Sequence, residues 1–437
     1  MEALVNEVAD YSSRRVLVGY LSVSSLYTLA SSLIWAINTI FLIREGGLGL
    51  FEVMIVNAVF TVGQMVFEVP TGVVADTIGR KASLLLGMAT LFISTLLYVL
   101  TPVWGLGIWG FVAASLIIGL GFTFQTGALD ARLVDALDAV KWDRPKERAF
   151  AWGQMASGMG ILLCSLLGGV LGQIGLSWPY YVRAGLLVFA FVLTFVLIRD
   201  AGFTPRTLRI STFRHETRLI LEAGTKFGWR SAVIRPLLWS SGLTGVFFIF
   251  AFYSWQPYIL DLLGRDYVWL LGVVTAGFSL AGIGGNLLVA RIMRKGEQRR
   301  QPWSVLALLA WLSAGLAFGI ALVGLVNKQP GPLPALVAIV LWLLFGLVFG
   351  LSVPIRMSYI NTYIPSAQRA TVLSLDAFFA DAGGAVGQPA LGYVSQKVSI
   401  PVGWVVGACF LLSAPLLYRV SGRASAEVEQ AAVHADA

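Results

Sequence analysis

The sequence predicts an all-α membrane protein in which twelve transmembrane helices form two six-helix bundles. Hydrophobic residues make up 57% of the 437 residues, and charged residues only 12%, about half the share usual in soluble proteins. Twelve apolar runs are long enough to cross a bilayer, which takes about 20 residues. A polar stretch at 199–233 divides these runs six and six.

The apolar runs are predicted to be helices. Lipid permits only helices or closed barrels, and these runs are too long and too uniformly apolar for barrel strands, which alternate over about 10 residues. We number them spans 1 to 12 in chain order: 17–43, 51–75, 82–103, 108–131, 150–173, 178–198, 234–258, 267–290, 302–326, 333–355, 370–395 and 400–419.

The predicted organisation has four parts. An N-terminal six-helix bundle (1–198) is followed by a cytoplasmic linker (199–233), a C-terminal six-helix bundle (234–420) and a cytoplasmic tail (421–437). A faint repeat relates the bundles, since PKERA precedes span 5 and SAQRA precedes span 11. Parallel repeats of six spans are the plan in which two bundles rock about a site at the bilayer midplane.

The distribution of positive charge predicts the orientation. All but five of the 31 Lys and Arg residues lie on the side that holds both termini, which the positive-inside rule places in the cytoplasm. Lipid headgroups then account for the net charge of +8, and no nucleic acid is expected. The start of the chain does not resemble a cleaved signal peptide, so we expect a multi-pass protein of the inner (plasma) membrane. The five exceptions are Arg44, Arg183, Arg265, Lys328 and Lys397.

The loop after span 2 carries the sharpest motif, GVVADTIGRK at 72–81. Gly72 would let a neighbouring helix approach closely, and Gly79 would permit a tight turn. Asp76 lies at the membrane boundary, where a carboxylate can cap a neighbouring helix N-terminus or pair with a cation. Arg80 and Lys81 complete the motif with two positive charges on the cytoplasmic side.

This motif resembles the signature loop of the major facilitator superfamily, with each defining position present. Further segments resemble its bacterial drug/proton-antiporter-like branch: EVPTG at 68–72, GALDAR at 127–132, and YINTYIP at 359–365 with RATVLS at 369–374. The resemblance covers most of the chain and implies the major facilitator fold. The branch's GPxxGG signature in span 5 keeps only its final pair, Gly168 and Gly169, which weakens the case for antiport.

The resemblance also implies a cytoplasmic gate. In the family, the counterpart of Asp76 helps to close the gate against span 11, and the arginine matched by Arg80 pairs with an acid near the end of span 4. Asp130 is the first candidate for that acid and Asp135 the second. Asp130 lies 22 residues into a span that starts near residue 108, about 33 Å along a continuous helix and level with Asp76.

Buried acids are the candidates for proton coupling, because an ionisable group inside a membrane is costly. Glu68 shares one helix stripe with Gly72 and Asp76 by its i, i+4, i+8 spacing. Asp376 and Asp381 lie in span 11, about 140° apart around the helix. Asp381 is deeper and is the better candidate of the two, whereas Asp376 could equally belong to the gate. A structural hydrogen bond remains the alternative for Glu68.

Aromatic and amide side chains are the candidates for lining the substrate pocket. A lipid-facing amide would be left without hydrogen bonds, which favours an interior position for such groups. Tyr253 and Trp255 are equally explained as anchors at the membrane interface. The six candidates are Trp35 and Asn38 in span 1, Gln125 in span 4, and Tyr253, Trp255 and Gln256 in span 7.

The sequence therefore predicts a secondary active transporter that works by alternating access and exports small amphipathic organic compounds in exchange for protons. Export rests on the resemblance alone, and a proton-linked importer or a carrier of lipid-like substrates is the alternative. The expected partners are a small-molecule substrate, protons and membrane lipids. We expect a monomer, with no cofactor, no metal site and no catalytic residues.

Two other classes of protein are considered. A membrane enzyme needs a nucleophile–base pair or a metal cluster in the spans, and the sequence offers neither. A non-transporting receptor needs a sizeable ligand-binding or signalling domain, and the loops here are short. The sequence also lacks the phosphate-binding loop of a fused ATPase.

Overall fold

A computed structural model describes residues 13–203, 222, 224–294, 301–327 and 329–435, and within these residues the regular structure is helical throughout. The all-α prediction is therefore confirmed. Spans 1 to 6 are the helices Ser13–Ser32 with Asn38–Arg44, Leu50–Ile78, Arg80–Trp104, Gly107–Gln125 with Ala128–Ala139, Lys146–Ile174 and Trp178–Leu197. Spans 7 to 12 are Ile234–Leu263, Val268–Arg294, Pro302–Val326, Pro332–Thr362, Arg369–Lys397, and Ile400–Leu411 with Ala414–Ala435.

Ten helical segments of the described chain are long and apolar enough to cross a membrane. Spans 1 and 11 are the two that fall outside this set. Span 1 is divided into two helices, and span 11 carries Asp376 and Asp381 within a glycine-rich helix. Polar residues in spans of a helical bundle face protein rather than lipid, so the two least apolar spans are where functional groups are expected.

Three spans predicted as continuous helices are interrupted. Span 1 unwinds at 33–37, span 4 breaks at Thr126 and Gly127, and span 12 breaks near residue 412. Gly127 has a φ of 72°, a conformation that glycine adopts without strain. The second helix of span 12 extends to Ala435, so the predicted tail continues the helix.

The described residues fall into two compact units. The first comprises Met1–Leu48, Val59–Leu208 and Val268–Ala276, and the second comprises Gly49–Ala58, Arg209–Tyr267 and Gly277–Ala437. Most of the predicted linker, namely 204–221 and 223, lies outside the described residues, and the four-part organisation stays a prediction.

In the first unit, span 3 packs on spans 4 and 6, and span 1 packs on spans 5 and 6. The two signature glycines of span 5 lie at close helix contacts. The position of a Cβ on Gly168 is occupied by the carbonyl oxygen of Leu33, and a Cβ on Gly169 would be 2.6 Å from the carbonyl oxygen of Trp269. Both glycines are therefore required by packing, as small residues between helices often are.

In the second unit, span 11 packs most extensively on span 7. Glycines make this approach possible on both sides. A Cβ on Gly245 would collide with the carbonyl oxygen of Ala380, and a Cβ on Gly383 would collide with that of Gly242. Span 11 is thus held on span 7 by backbone-to-backbone contact over the turns that carry Asp376 and Asp381.

Candidate functional site

The motif loop at 72–81 forms a charged cluster in the first unit. The guanidinium of Arg80 pairs with Asp76 at 2.8 Å, one turn earlier, and its Nε lies 3.8 Å from the Asp135 carboxylate. Asp130 instead accepts a hydrogen bond from the Tyr20 hydroxyl at 3.1 Å. The prediction that Arg80 pairs with Asp130 is therefore wrong, and the second candidate, Asp135, is the partner.

The break in span 4 explains this exchange of partners. The prediction placed Asp130 by counting along one continuous helix from residue 108. The chain leaves the helix after Gln125 and starts a new one at Ala128. The helical phase is reset at the break, so that Asp135, on the second turn of the new helix, points to Arg80.

Asp200, which the sequence analysis did not single out, holds the motif turn in place. Its Oδ1 accepts a hydrogen bond from the backbone N–H of Lys81 at 2.8 Å, at the start of span 3. Burial raises the pKa of this carboxyl, while the Lys81 N–H and nearby cations oppose the shift. The Lys81 ammonium bonds to the Phe195 carbonyl oxygen at 2.7 Å. The sequence did offer a signal for this contact, because Asp200 is an acid directly after span 6 and the turn at Arg80 and Lys81 is basic.

Gly79 packs against the Asp200 side chain, and its backbone has a conformation that only glycine tolerates. Its φ is 124° and its ψ is 152°, and a Cβ there would collide with the Asp200 carboxylate. We expect Gly79→Ala to lower the free energy of unfolding by about 1–3 kcal/mol from backbone strain alone. The measurement is the midpoint of thermal unfolding of purified protein in detergent.

Gly72 supplies the matched control. It is helical and exposed, and no described atom lies within 4 Å of a Cβ built on it, so the predicted close approach of a neighbouring helix is absent here. Gly72→Ala should leave the midpoint unchanged or raise it, because alanine favours a helix by about 0.5–1 kcal/mol. Equal midpoints for the two variants would contradict the assigned role of Gly79.

Glu68 lies ten residues before the end of its 29-residue helix, about 15 Å along the axis, which places it within a hydrocarbon core of about 30 Å. Its side chain is exposed, so the predicted burial of this acid within the protein is not observed. The Thr126 hydroxyl, which donates to the Thr123 carbonyl oxygen at 3.0 Å, also lies 3.4 Å from the Glu68 carboxylate. No Lys or Arg of the described chain lies within ion-pair distance of it. Among the described residues, Glu68 is therefore an intramembrane acid without a cationic partner.

Asp376 has a different environment. It is 6% exposed, pairs with the guanidinium of Arg356 at 2.6 Å, and accepts a hydrogen bond from the Ser241 hydroxyl at 2.8 Å. Arg356 also donates to the carbonyl oxygen of Leu237 at 2.8 Å. Spans 7, 10 and 11 thus meet at one buried ion pair. Sequence reasoning placed Arg356 just beyond span 10, but the helix continues to Thr362 and encloses it. Asp381 is half-buried, farther along the same helix.

The pocket candidates of the first unit lie close to the breaks in spans 1 and 4. Trp35 is within the unwound segment of span 1, and Asn38 begins the helix after it. Asn38 accepts a hydrogen bond from the Tyr180 hydroxyl at 2.9 Å. Gln125 ends the first helix of span 4, where its amide donates to the Leu84 carbonyl oxygen at 3.0 Å. Asn38 and Gln125 therefore form hydrogen bonds within the unit, and their place in a substrate pocket stays a prediction.

The candidates of span 7 differ in burial. Trp255 and Gln256 are 4% and 0% exposed, and the Trp255 ring stacks on Trp342 with centroids 6.2 Å apart. Tyr253 is half-buried and packs edge-on against Phe252. Burial of Trp255 excludes an anchor at the membrane interface, because such a ring must reach the headgroups.

Comparison with known proteins identifies the family. The model of the Major Facilitator Superfamily matches residues 20–388. The chain belongs to the major facilitator superfamily. The interrupted spans and the motif cluster described above are accordingly features of a multi-pass membrane transporter, and the family resemblance of the sequence is confirmed.

Relatives of this major facilitator include transporters and resistance proteins. It is 23% identical over 410 residues to an uncharacterized MFS-type transporter, YxaM, of Bacillus subtilis, covering 92% of this chain and 94% of the relative. It is 23% identical over 367 residues to the class B tetracycline resistance protein of Escherichia coli, covering 81% and 82%. It is 21% identical over 245 residues to the quinolone resistance protein NorA of Staphylococcus aureus, covering 55% and 59%.

Solved structures share the fold. The nucleoside transporter NupG superposes with a TM-score of 0.73 at 13% identity, covering 93% of this chain and 98% of that one. A POT family transporter in complex with 5-aminolevulinic acid superposes with a TM-score of 0.73 at 14% identity, covering 93% and 96%. These neighbours establish the twelve-helix major facilitator fold.

Proposed function

We propose that this transporter exports small amphipathic organic compounds in exchange for protons, with Glu68 as the proton-coupling group. The observation that carries the proposal is an acid within span 2 whose carboxylate has a hydroxyl neighbour, Thr126, and no cation of the described chain beside it. Such a group is protonated when its surroundings are dry and ionises when water enters. Alternating access supplies that change of surroundings.

Two relatives support export, since their names record resistance to tetracycline and to quinolones. The motif cluster around Asp76 and Arg80 fits a cytoplasmic gate that opens and closes in the cycle. The alternative is proton-linked import. The span 5 glycines do not decide between the two directions, because Gly168 and Gly169 are explained by packing.

The orientation proposed from charge places both termini in the cytoplasm. It puts the exposed residue Arg144 inside the cell and the exposed residue Asp266 outside. The test uses Arg144→Cys and Asp266→Cys, each made singly in a chain whose two native cysteines are replaced. In intact cells, an impermeant thiol reagent should label the Asp266→Cys protein and not the Arg144→Cys protein. Labelling of the Arg144→Cys protein by an impermeant thiol reagent in intact cells would contradict the orientation.

Flux into proteoliposomes tests both coupling and direction. The probe is ethidium, whose permanent charge does not titrate, with tetracycline and a fluoroquinolone beside it. An acidic lumen drives uptake by an antiporter in either orientation of the protein, whereas an acidic external medium drives uptake by a symporter. We expect uptake with the acidic lumen, above that of protein-free vesicles. Uptake with the acidic exterior would show import, and pH-independent flux of every probe would contradict proton coupling.

A further inference from the structure

Span 6 carries a fully buried arginine that has no acid among its neighbours in the described part of the chain. Arg183 is 1% exposed and lies five residues after the start of its helix, about 7–8 Å into the membrane. Its Nε and Nη2 atoms have no hydrogen-bond partner in the described chain. A guanidinium stays charged in proteins, so this group cannot relieve its burial by losing a proton.

Tyrosines surround the guanidinium. Its electrostatic neighbours are Tyr27, Tyr98 and Tyr180, from spans 1, 3 and 6, and no Asp or Glu of the described chain is among them. The rings of Tyr98 and Tyr180 stack with centroids 5.9 Å apart. Tyr180 donates its hydroxyl proton to Asn38 at 2.9 Å, and the Tyr98 hydroxyl is 2.6 Å from that of Ser115. We call Arg183 with these three tyrosines the arginine cage.

The arginine cage lies beside the break in span 1. The unwound residues 33–37 lead directly into Asn38, which is bonded to the cage through Tyr180. Irregular backbone at membrane depth occurs only where it is enclosed by protein or lines a cavity. In transporters, interrupted helices help to form binding sites within the membrane. A broken helix and an uncompensated charge therefore coincide at one place.

We propose that the arginine cage is an anion-binding subsite that takes the carboxylate, or another acidic group, of an organic anion. The planar guanidinium fork matches a carboxylate with two parallel hydrogen bonds, and the free Nε and Nη2 atoms are one edge of that fork. The aromatic walls suit an apolar body attached to the acid. The proposal rests on the transport function and adds organic anions to its expected substrates.

Binding of matched probes tests the subsite. We use 2-naphthoate and its neutral amide, 2-naphthamide, with purified protein in nanodiscs, and measure affinity by calorimetry. Wild type should prefer the naphthoate, and Arg183→Gln should bind the naphthoate about 10- to 100-fold more weakly, which is the worth of a hydrogen-bonded charge. Arg44→Gln, which removes an exposed cation from span 1 of the same unit, should bind like wild type.

Stability of the ligand-free protein separates a ligand site from a structural arginine. An uncompensated buried charge does not stabilise the fold, so Arg183→Met should unfold at the wild-type temperature or above it. Arg183→Lys keeps the charge and should retain a weaker preference for the naphthoate. Three results would each overturn the subsite. The first is a lower unfolding temperature for Arg183→Met than for wild type, and the second is binding of naphthoate by Arg183→Gln at wild-type affinity. The third is stabilisation of the protein by anionic lipid and not by naphthoate. If any of these results came with normal pH-driven flux, the anion subsite would be contradicted and the transport function would stand. If the protein bound naphthoate but showed no pH-driven flux, the subsite would stand and the transport function would be contradicted.

Discussion

Glu68→Gln is expected to abolish accumulation of ethidium driven by a pH gradient, while exchange between internal and external ethidium continues. An ionised carboxylate at membrane depth costs at least about 2.5 kcal/mol, so Glu68 holds a proton whenever its surroundings are dry. Glutamine has the shape of the protonated acid, and its oxygen can accept the Thr126 hydroxyl bond. The variant should therefore fold and bind substrate, but it cannot release a proton.

The measurement is ethidium uptake into proteoliposomes with and without an imposed pH step. Glu52→Gln is the matched control, because Glu52 lies in the first turn of the same helix and accepts a hydrogen bond from the Gly49 N–H at 2.8 Å. This variant should accumulate ethidium like wild type. If Glu68→Gln also does so, Glu68 is not the coupling group, and the same test passes to Asp381→Asn.

Asp376→Asn is expected to destabilise the second unit strongly. The side chains of Arg356 and Asp376 are 12% and 8% exposed and 2.6 Å apart. Removal of one charge leaves the other buried without a counter-ion, which costs about 3–5 kcal/mol. Asparagine keeps the size of the side chain and an oxygen for the Ser241 hydroxyl, so the loss reports on charge alone. We expect a lower unfolding midpoint and less folded protein on size exclusion.

Two comparisons make this result specific. Asp138 and Lys146 are also 2.6 Å apart, but their side chains are 63% and 37% exposed, and Asp138→Asn should cost no more than about 1 kcal/mol. The double variant Asp376→Leu with Arg356→Met should recover much of the stability, because an apolar pair carries no desolvation penalty. Equal losses at the buried and the exposed pair would show that burial does not matter here. On this view Asp376 fixes spans 7, 10 and 11 together, and proton coupling falls to Glu68 or Asp381.

The sequence by itself determined the class of fold, the number and order of the spans, and the motif loop. Lipid imposes those features locally: each apolar run must satisfy its own backbone hydrogen bonds and therefore forms a helix. The turn at Gly79 was equally readable, because a glycine after an apolar run permits a tight turn. The intramembrane position of Glu68 follows from its place in an apolar run. These inferences depend on one segment at a time.

The partners of the charged groups were decided by the tertiary structure. Hydropathy does not fix the rotation of a helix in a membrane, since the faces toward lipid and toward neighbouring helices are both apolar. The break at Gly127 shifted the partner of Arg80 from Asp130 to Asp135. The ion pair of Asp376, and the burial of Arg183 among tyrosines of three spans, depend on how separate helices pack. A charge inside an apolar run was visible in the sequence, but its neighbours come from residues distant in the chain, and only packing brings them together.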